Sequence, residues 1–194
     1  MKPQWVLATN NLHKLEEVRA ILEHKIDILS LSDIGCEANP IENGSTFSAN
    51  ALIKAKEISL YTDLPVLADD SGLCVNALNG SPGVISARYA GDNASDSENV
   101  IKLLSELSGT TDRSAYFTTS LCLLIPGSQP QFFEGFIHGA IAELPSGSNG
   151  FGYDPVFIPA GGLNTFAEMT ASEKNANSHR ADALQQLFLK LFVS

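Results

Sequence analysis

A long hairpin pattern near the middle of the chain is the feature that most constrains its fold. Two strand candidates, residues 115–125 and 131–144, are separated only by a turn segment at residues 126–130. The pattern predicts that these two strands pair with each other. Earlier in the chain, short apolar runs alternate with stretches of helical spacing, as in strands joined by helices. We therefore predict an α/β fold with a mixed β-sheet flanked by helices.

The alternation of strand and helix begins at the N-terminus. The apolar run at residues 5–8 stops at Thr9, and apolar residues then recur at helical spacing from Leu12 to Leu22. This segment is predicted to be a strand, a turn and a helix. The same reasoning predicts strands at residues 26–31, 65–68 and 156–158, and helices that begin near Thr46, behind a Ser95–Glu98 capping box and near Ser178.

Length and composition favour one domain covering residues 1–194, or one domain with a small lobe. The chain is 44% apolar and 18% charged, which is ordinary for a globular protein. No apolar stretch approaches the roughly 20 residues of a membrane helix, so we expect no membrane partner. The apolar run at residues 5–8 is too short for a signal peptide, and a cytoplasmic location is expected.

Charge and residue spacing exclude several classes of function. The formal net charge of −10 argues against nucleic acid as a partner, because such binding depends on basic surface. The three cysteines show no Cys-x-x-Cys spacing, and the four histidines show no His-Glu-x-x-His spacing. This pattern indicates buried thiols and argues against zinc sites. Any bound metal is expected to have oxygen ligands.

Two adjacent carboxylates, Asp69 and Asp70, end the apolar run at residues 65–68 and are followed by Ser71 and Gly72. Neighbouring negative charges repel, and a divalent cation or a bound proton offsets the repulsion. The end of a strand is also where open α/β sheets place ligand groups. The alternative is an Asx-type turn closing the strand, which these four residues alone slightly favour. In a strand, the two side chains would point to opposite faces.

The segment from Thr9 to Lys14 lies where a strand turns into a helix. Backbone N–H groups at such a turn can hold an anion, and Lys14 adds a positive charge. The chain has no Gly-x-x-x-x-Gly-Lys-Ser/Thr sequence, so GTPase-type chemistry loses its main support. These residues alone favour the alternative, an Asn N-cap followed by a surface lysine.

Two segments near the C-terminus combine aromatic rings with hydrogen-bond donors. The first segment is Phe151-Gly152-Tyr153-Asp154-Pro155. Its aromatic side chains suit stacking on the planar ring of a ligand, but they fit equally well a role as core residues that fill the loop. Ser178-His179-Arg180 opens the last helix with two donor-rich side chains, where the helix dipole disfavours positive charge. Either these two residues have a functional role, or they form a solvated pair on the surface.

Together, the motifs resemble the inosine/xanthosine triphosphate pyrophosphatase family over nearly the whole chain. Pro82-Gly83, the Ser86–Tyr89 segment and Asn50-Ala51-x-x-Lys54-Ala55 also resemble the family. The resemblance rests on five motifs in this order: Thr9-x-Asn11-x-x-Lys14, Glu42-Asn43-Gly44-x-Thr46-Phe47, Asp69-Asp70-Ser71-Gly72, Phe151-Gly152-Tyr153-Asp154-Pro155 and Ser178-His179-Arg180.

The resemblance implies an enzyme of nucleotide metabolism. Members of the family are cytosolic homodimers that hydrolyse deaminated, 6-keto purine nucleoside triphosphates (ITP, dITP and XTP) to the monophosphate and pyrophosphate with Mg²⁺. Such an activity removes these nucleotides before they are incorporated into DNA and RNA. The implied fold is an elongated mixed β-sheet flanked by helices, with two lobes and a central nucleotide-binding cleft. The implied cofactor is Mg²⁺, and the implied partner is a purine nucleoside triphosphate.

The resemblance also implies a role for each motif. Asp70 would be the catalytic residue that accepts the proton of the attacking water, and it would hold Mg²⁺ together with Glu42. The implied substrate-binding residues are Thr9, Asn10, Asn11, Leu12, His13 and Lys14 for the phosphates, Ser71 beside the metal, Phe151, Gly152, Tyr153 and Asp154 for the base, with Phe151 stacking, and Lys174, His179 and Arg180 for the remaining contacts.

One position departs from the family pattern. Family members often carry Glu two residues after Phe47, whereas this chain has Ala49. We expect slightly weaker capping of that helix, or one carboxylate fewer near the metal.

Three other functions compete with this interpretation. A related pyrophosphatase acting on a pyrimidine triphosphate is disfavoured by the base loop. An inactive nucleotide-binding sensor is disfavoured because pure binding does not require Glu42, Asp69 and Asp70 beside Lys14. A haloacid-dehalogenase-type phosphatase is disfavoured because its Asp-x-Asp-x-Thr pattern is missing.

Overall fold

The computed structural model describes residues 2–193, which contain six β-strands and five α-helices. The strands are β1 (Gln4–Leu7), β2 (Asp27–Leu29), β3 (Val66–Val75), β4 (Ser114–Leu124), β5 (Gln131–Ile141) and β6 (Phe157–Pro159). The helices are α1 (Leu12–Leu22), α2 (Phe47–Ile58), α3 (Asp96–Glu106), α4 (Ala171–Ala176) and α5 (His179–Phe192). No helix within residues 2–193 is long and apolar enough to cross a membrane.

The six strands form one sheet in the order β2-β1-β3-β4-β5-β6. Strand β1 pairs in parallel with both β2 and β3, and β5 pairs antiparallel with β6. Strands β4 and β5 are neighbours joined by residues 125–130, and this short connection makes them a hairpin. The predicted mixed sheet flanked by helices is therefore confirmed.

Contacts along the chain group it into two compact units. Within the described residues, the first unit comprises residues 2–70, 119–135 and 180–193, and the second comprises residues 71–118 and 136–179. The single domain over residues 1–194 and the nucleotide-binding cleft stay predictions.

In the first unit, alternating strand side chains pack against helices on both faces of the sheet. Leu7 and Leu67 pack in one cluster with apolar residues of α1 and α5. Val6 and Val66, their sequence neighbours, pack in another cluster with apolar residues of α2. The period of two along each strand thus sends successive residues to opposite helical layers.

In the second unit, helix α3 covers an aromatic core. Val100 and Leu103 of α3 are buried with Leu73 of β3 and with two phenylalanines. These phenylalanines, Phe117 of β4 and Phe157 of β6, meet edge to face with their ring centroids 4.7 Å apart. Such a contact adds to the stabilisation from burial alone.

Helix starts follow the predicted capping residues. Ser95 and Glu98 form the predicted capping box at the start of α3. At α2, the Thr46 side chain accepts a hydrogen bond from the Ala49 N–H at 3.1 Å. Because residue 49 is alanine, Thr46 caps this helix without the reciprocal carboxylate of a capping box.

The prediction that a strand ends before Asp69 is wrong. Strand β3 runs from Val66 to Val75, so Asp69 and Asp70 lie in its interior and no Asx-type turn closes it. Leu73, like the residues at 74 and 75, is buried and apolar. Packing and pairing with neighbouring strands therefore override the turn preference of the Asp-Asp-Ser-Gly sequence. Strand β2 is shorter than predicted.

Replacing Gly139 by alanine is expected to destabilise the protein. Gly139 of β5 pairs with Pro159 of β6, and an added Cβ would collide with the Ile158 carbonyl oxygen and lie 2.7 Å from Phe157 Cζ. We expect Gly139→Ala to lower the free energy of unfolding by about 1–3 kcal/mol in urea titrations, as overpacking does. The exposed neighbour gives the control, His138→Ala, which should change it by less than about 0.5 kcal/mol. Equal effects would contradict the close approach.

Candidate active site

Strand β3 carries Asp69 and Asp70 to opposite faces of the sheet. Asp69 points toward the layer of α1 and α5, as Leu67 does, and Asp70 points toward α2, as Ala68 does. Asp69 is 1% exposed and Asp70 is 6% exposed, so water solvates neither carboxylate well. The expectation that a strand would separate the pair is confirmed.

On its own face, Asp69 is held by two cations. Lys14 Nζ lies 2.5 Å from Asp69 Oδ1, and Arg180 Nε donates to Oδ2 at 2.8 Å. The Thr119 hydroxyl also donates to Oδ2, at 2.9 Å. Arg180 pairs with Glu17 through Nη1. Two cationic side chains therefore share Asp69, and one of them also binds a second carboxylate.

This environment keeps Asp69 ionised. Burial favours the neutral carboxyl group, but Arg180 and Lys14 outweigh it and hold the pKa of Asp69 well below the ordinary value of 3.8. A carboxylate of such low basicity is a poor proton acceptor at neutral pH. Asp69 is therefore a structural anion that positions Lys14 and Arg180.

Asp70 meets a different set of partners. Lys54 Nζ of α2 lies 3.0 Å from Asp70 Oδ1 and 2.9 Å from Glu42 Oε2. Asn50 donates from Nδ2 to Asp70 Oδ2 at 3.2 Å and accepts from the Gly44 N–H at 2.7 Å. Helix α2 thus connects Asp70 to the loop that carries Glu42.

Close packing at Gly44 sets the position of this loop. A Cβ at residue 44 would lie 2.7 Å from Asn50 Oδ1 and 2.9 Å from the Ala49 Cβ. Glycine is therefore required for the loop to approach α2 this closely. The small Ala49 side chain lies at the same contact.

Burial and a neighbouring carboxyl group raise the pKa of Asp70. Burial is the largest cause, a hydrogen bond with Glu42 adds to the rise, the Lys54 charge opposes it, and the resulting pKa is about 6. For Glu42, burial is outweighed by Lys54, so its pKa is lowered. The two carboxyl groups lie together beside the Lys54 ammonium group, and a bound cation would stabilise the ionised form of both.

The acidic pair matches the ligand requirements of Mg²⁺. Within residues 2–193, no group of three or more His, Cys, Asp or Glu side chains is placed to hold a metal ion. Mg²⁺ is commonly bound by only one or two carboxylates, with phosphates and water completing its octahedron. Glu42 and Asp70, brought together beside Lys54, fit that mode of binding.

The predicted phosphate segment forms the start of α1. Asn11 is the N-cap, and its side chain accepts from the Lys14 N–H at 3.1 Å. The alternative of a surface lysine is wrong, because the Lys14 side chain is 14% exposed and bonded to Asp69. Thr9 Oγ1 accepts from the Asn11 N–H. The remaining residues of the segment are exposed, namely Asn10, Leu12 and His13.

In the second unit, Asp154 joins two of the predicted base-binding residues. Its Oδ2 accepts from the Phe151 N–H at 2.9 Å and from Lys174 Nζ at 2.6 Å. Lys174 Nζ lies 4.7 Å from the centroid of the Phe151 ring, within cation–π range. Phe151, Asp154 and Lys174 thus form one group. Ser71 lies half-buried in β3.

The structure decides between the alternatives left open for the other residues. The Tyr153 ring is buried in the core and its hydroxyl donates to the Ser86 carbonyl oxygen at 2.9 Å, so the core-aromatic interpretation is correct for Tyr153. The interpretation of His179 and Arg180 as a solvated surface pair is wrong, because these residues are 5% and 1% exposed. His179 stacks on Phe117 with ring centroids 5.0 Å apart.

Comparison with known proteins identifies the family. Residues 5–190 match the sequence profile of the Ham1 family. The chain belongs to the Ham1 family. Among its relatives, the dITP/XTP pyrophosphatase of Bacillus licheniformis is 50% identical over 185 residues, which cover 94% of each chain. The dITP/XTP pyrophosphatase of Porphyromonas gingivalis is 50% identical over 183 residues, again 94% of each chain.

Solved structures of Ham1 proteins share the fold. The Ham1 protein of Coxiella burnetii superposes with a TM-score of 0.89 at 42% identity, covering 99% of this chain and 100% of that one. The Ham1 protein of Staphylococcus aureus gives a TM-score of 0.87 at 39% identity, covering 97% of each chain.

Sequence reasoning assigned no role to four residues that contribute to the polar networks of this Ham1 family member. Asn50 and Lys54 lie on the buried side of α2, and two polar residues on an apolar stripe are the signal that could have revealed them. Glu17 and Thr119 gave no comparable signal. Their partners, Arg180 and Asp69, are distant in sequence.

Replacing Asp69 by asparagine is expected to destabilise this Ham1 protein strongly. The change removes the negative charge that Lys14 and Arg180 share, and breaking a buried ion pair typically costs about 3–5 kcal/mol. Urea unfolding at pH 7 measures the loss. Because the folded pKa of Asp69 is depressed, its contribution is present above the unfolded pKa and disappears as pH falls through the folded value. The difference in the free energy of unfolding between wild type and variant should therefore become smaller below about pH 4.

Asp33→Asn is the matched control. Asp33 also pairs with an arginine, Arg19, at 2.8 Å, but the two side chains are 46% and 45% exposed. We expect the free energy of unfolding of this variant to fall by less than about 1 kcal/mol, because water screens the charges of an exposed ion pair. Similar losses in both variants would contradict the structural role of Asp69.

Proposed function

We propose that this protein hydrolyses deaminated purine nucleoside triphosphates, namely dITP, XTP and ITP, to the monophosphate and pyrophosphate. Membership of the Ham1 family and 50% identity to proteins named dITP/XTP pyrophosphatases support this proposal. The reaction cuts the bond between the α and β phosphates. It needs an oriented water, a proton acceptor and compensation of negative charge, and it requires no covalent intermediate.

The observation that carries the proposal is the contrast between the two carboxylates of β3. Asp69 forms ion pairs with two cations, Lys14 and Arg180, whereas Asp70 and Glu42 lie together beside Lys54. A protein that only needed to bind an anion would gain nothing from two further carboxyl groups at the same place. In this proposal Asp70 accepts the proton of the attacking water, and Asp69 keeps the surrounding cations in place.

Glu42 and Asp70 would hold Mg²⁺ in this proposal. When bound, Mg²⁺ would neutralise phosphate charge. Lys54, already beside both carboxylates, would add a positive charge for the phosphates. The start of α1, from Thr9 to Lys14, would hold the rest of the triphosphate, since the N-terminus of a helix attracts anions.

Residues of the second unit and the start of α5 would bind the base. Phe151 offers a ring for stacking, and Lys174 lies beside that ring and is bound to Asp154. A 6-keto purine presents an acceptor at position 6, whereas adenine presents a donor. Donor side chains such as His179 and Arg180 would pair with the first and leave the second mispaired.

The proposed cellular role follows from this selectivity. Hydrolysis of deaminated nucleotides would remove them from the nucleotide pool before they are incorporated into DNA and RNA. We also propose that the protein acts in the cytoplasm as a homodimer, as its resemblance to the family implies.

A substrate panel tests the proposed reaction. Purified protein is incubated with dITP, XTP, ITP, GTP, ATP or dTTP, with Mg²⁺ or with a chelator, and released pyrophosphate and orthophosphate are measured separately. We expect pyrophosphate from the first three substrates only, and loss of activity with the chelator. Orthophosphate release, or a preference for dTTP, would replace the substrate assignment. ITP binding without turnover would indicate a sensor.

Asp70→Asn tests the proposed proton acceptor. Asparagine has the same shape but cannot take up a proton, so we expect kcat to fall by about 10²–10⁴-fold, the usual contribution of general base catalysis. Circular dichroism and ITP binding should remain close to wild type. The control is Asp112→Asn, which changes an exposed carboxylate bonded only locally to Ser114. Wild-type turnover in Asp70→Asn would remove Asp70 as the base.

A further inference from the structure

Two consecutive backbone N–H groups in the Phe151 loop each donate to a carboxylate. The Phe151 N–H donates to Asp154 Oδ2 at 2.9 Å, and the Gly152 N–H donates to Asp96 Oδ2 at 2.7 Å. Asp154 belongs to the loop itself, only three residues away. Asp96 belongs to helix α3 and is 56 residues distant in sequence. The second bond therefore attaches the loop to a different element of the second unit.

Asp96 is placed to act as such an anchor. It is the first residue of α3. Ser95 and Glu98 already cap the start of this helix by forming the capping box. The Asp96 side chain is therefore not needed for the cap. Buried residues fix α3 in the core, among them Val100 and Leu103. A contact from a rigid helix restricts a loop more than a contact within the loop does.

We propose that Asp96 is a positioning residue that holds Phe151 ready to stack on the base of the substrate. This inference rests on the proposed function, because it concerns how the same base is bound. Asp154 fixes the Phe151 amide from inside the loop, and Asp96 fixes the next amide from outside. With both bonds in place, the backbone on either side of the Phe151 Cα is restrained. The ring then loses less freedom when the base binds.

Three variants separate this role from a contribution to helix stability. Asp96→Ala removes the acceptor for Gly152. Asp96→Asn removes the charge but keeps an oxygen that can accept the bond. Glu98→Ala is the matched control, because Glu98 lies in the same helical turn and serves the capping box, with no contact to the loop among its hydrogen bonds in the structure.

Two readouts are needed, KM and kcat for dITP and hydrogen exchange of the peptide covering residues 150–154. For Asp96→Ala we expect KM to rise about five-fold with kcat nearly unchanged, as loss of one hydrogen bond that orders a binding group would give. Exchange of the loop amides should become faster. Asp96→Asn should stay within about two-fold of wild type in KM. Glu98→Ala should lower the melting temperature while leaving KM and loop exchange unchanged.

The outcomes distinguish this inference from the proposed function. Unchanged KM and unchanged loop exchange in Asp96→Ala would overturn the anchoring role, whatever the substrate. A rise in KM of the same size in Glu98→Ala would also overturn it, because helix stability would then explain the effect. If the wild type releases no pyrophosphate from dITP, the proposed function fails. Faster exchange of the loop amides in Asp96→Ala alone would then still show that Asp96 anchors the loop. It would contradict the proposal that this anchor serves binding of the base.

Discussion

The alternation of side chains along β3 is the constraint on which the chemistry of the first unit depends. Two neighbouring aspartates would repel each other on one surface, but a strand turns them to opposite faces. Each carboxylate then meets its own helical layer, and each layer supplies a different set of partners. One strand therefore yields two carboxylates of different basicity without any special backbone geometry.

The two faces give their carboxylates different partners. Asp69 forms ion pairs with Lys14 and Arg180, and the Thr119 hydroxyl donates a further hydrogen bond to it. Asp70 lies with Glu42 beside the Lys54 ammonium group, and burial raises the pKa of Asp70. The first arrangement favours rigidity. The second favours uptake of a cation or a proton, which is what hydrolysis of a charged substrate demands.

Local pattern in the sequence predicted the type of fold but not where its charges would pair. Hydrophobic periodicity and turn residues were enough for the mixed sheet, the hairpin and the Ser95 capping box. The extent of β3 was missed because Asp, Ser and Gly favour turns locally, whereas packing decides in the folded chain. The local residues around Lys14 favoured a surface lysine, because its partner lies 55 residues away. Pairings of this kind have no local signature.

The contact between Arg180 and Asp69 joins residues that are 111 positions apart in the chain. The first unit is assembled from three separate segments, and the last of them contains α5. During synthesis from the N-terminus, Asp69 emerges long before the arginine that compensates it. The first unit is therefore completed only after the segments of the second unit have been made. A chain released before α5 would leave apolar surface of α1 and β3 uncovered and Asp69 without the Arg180 guanidinium group.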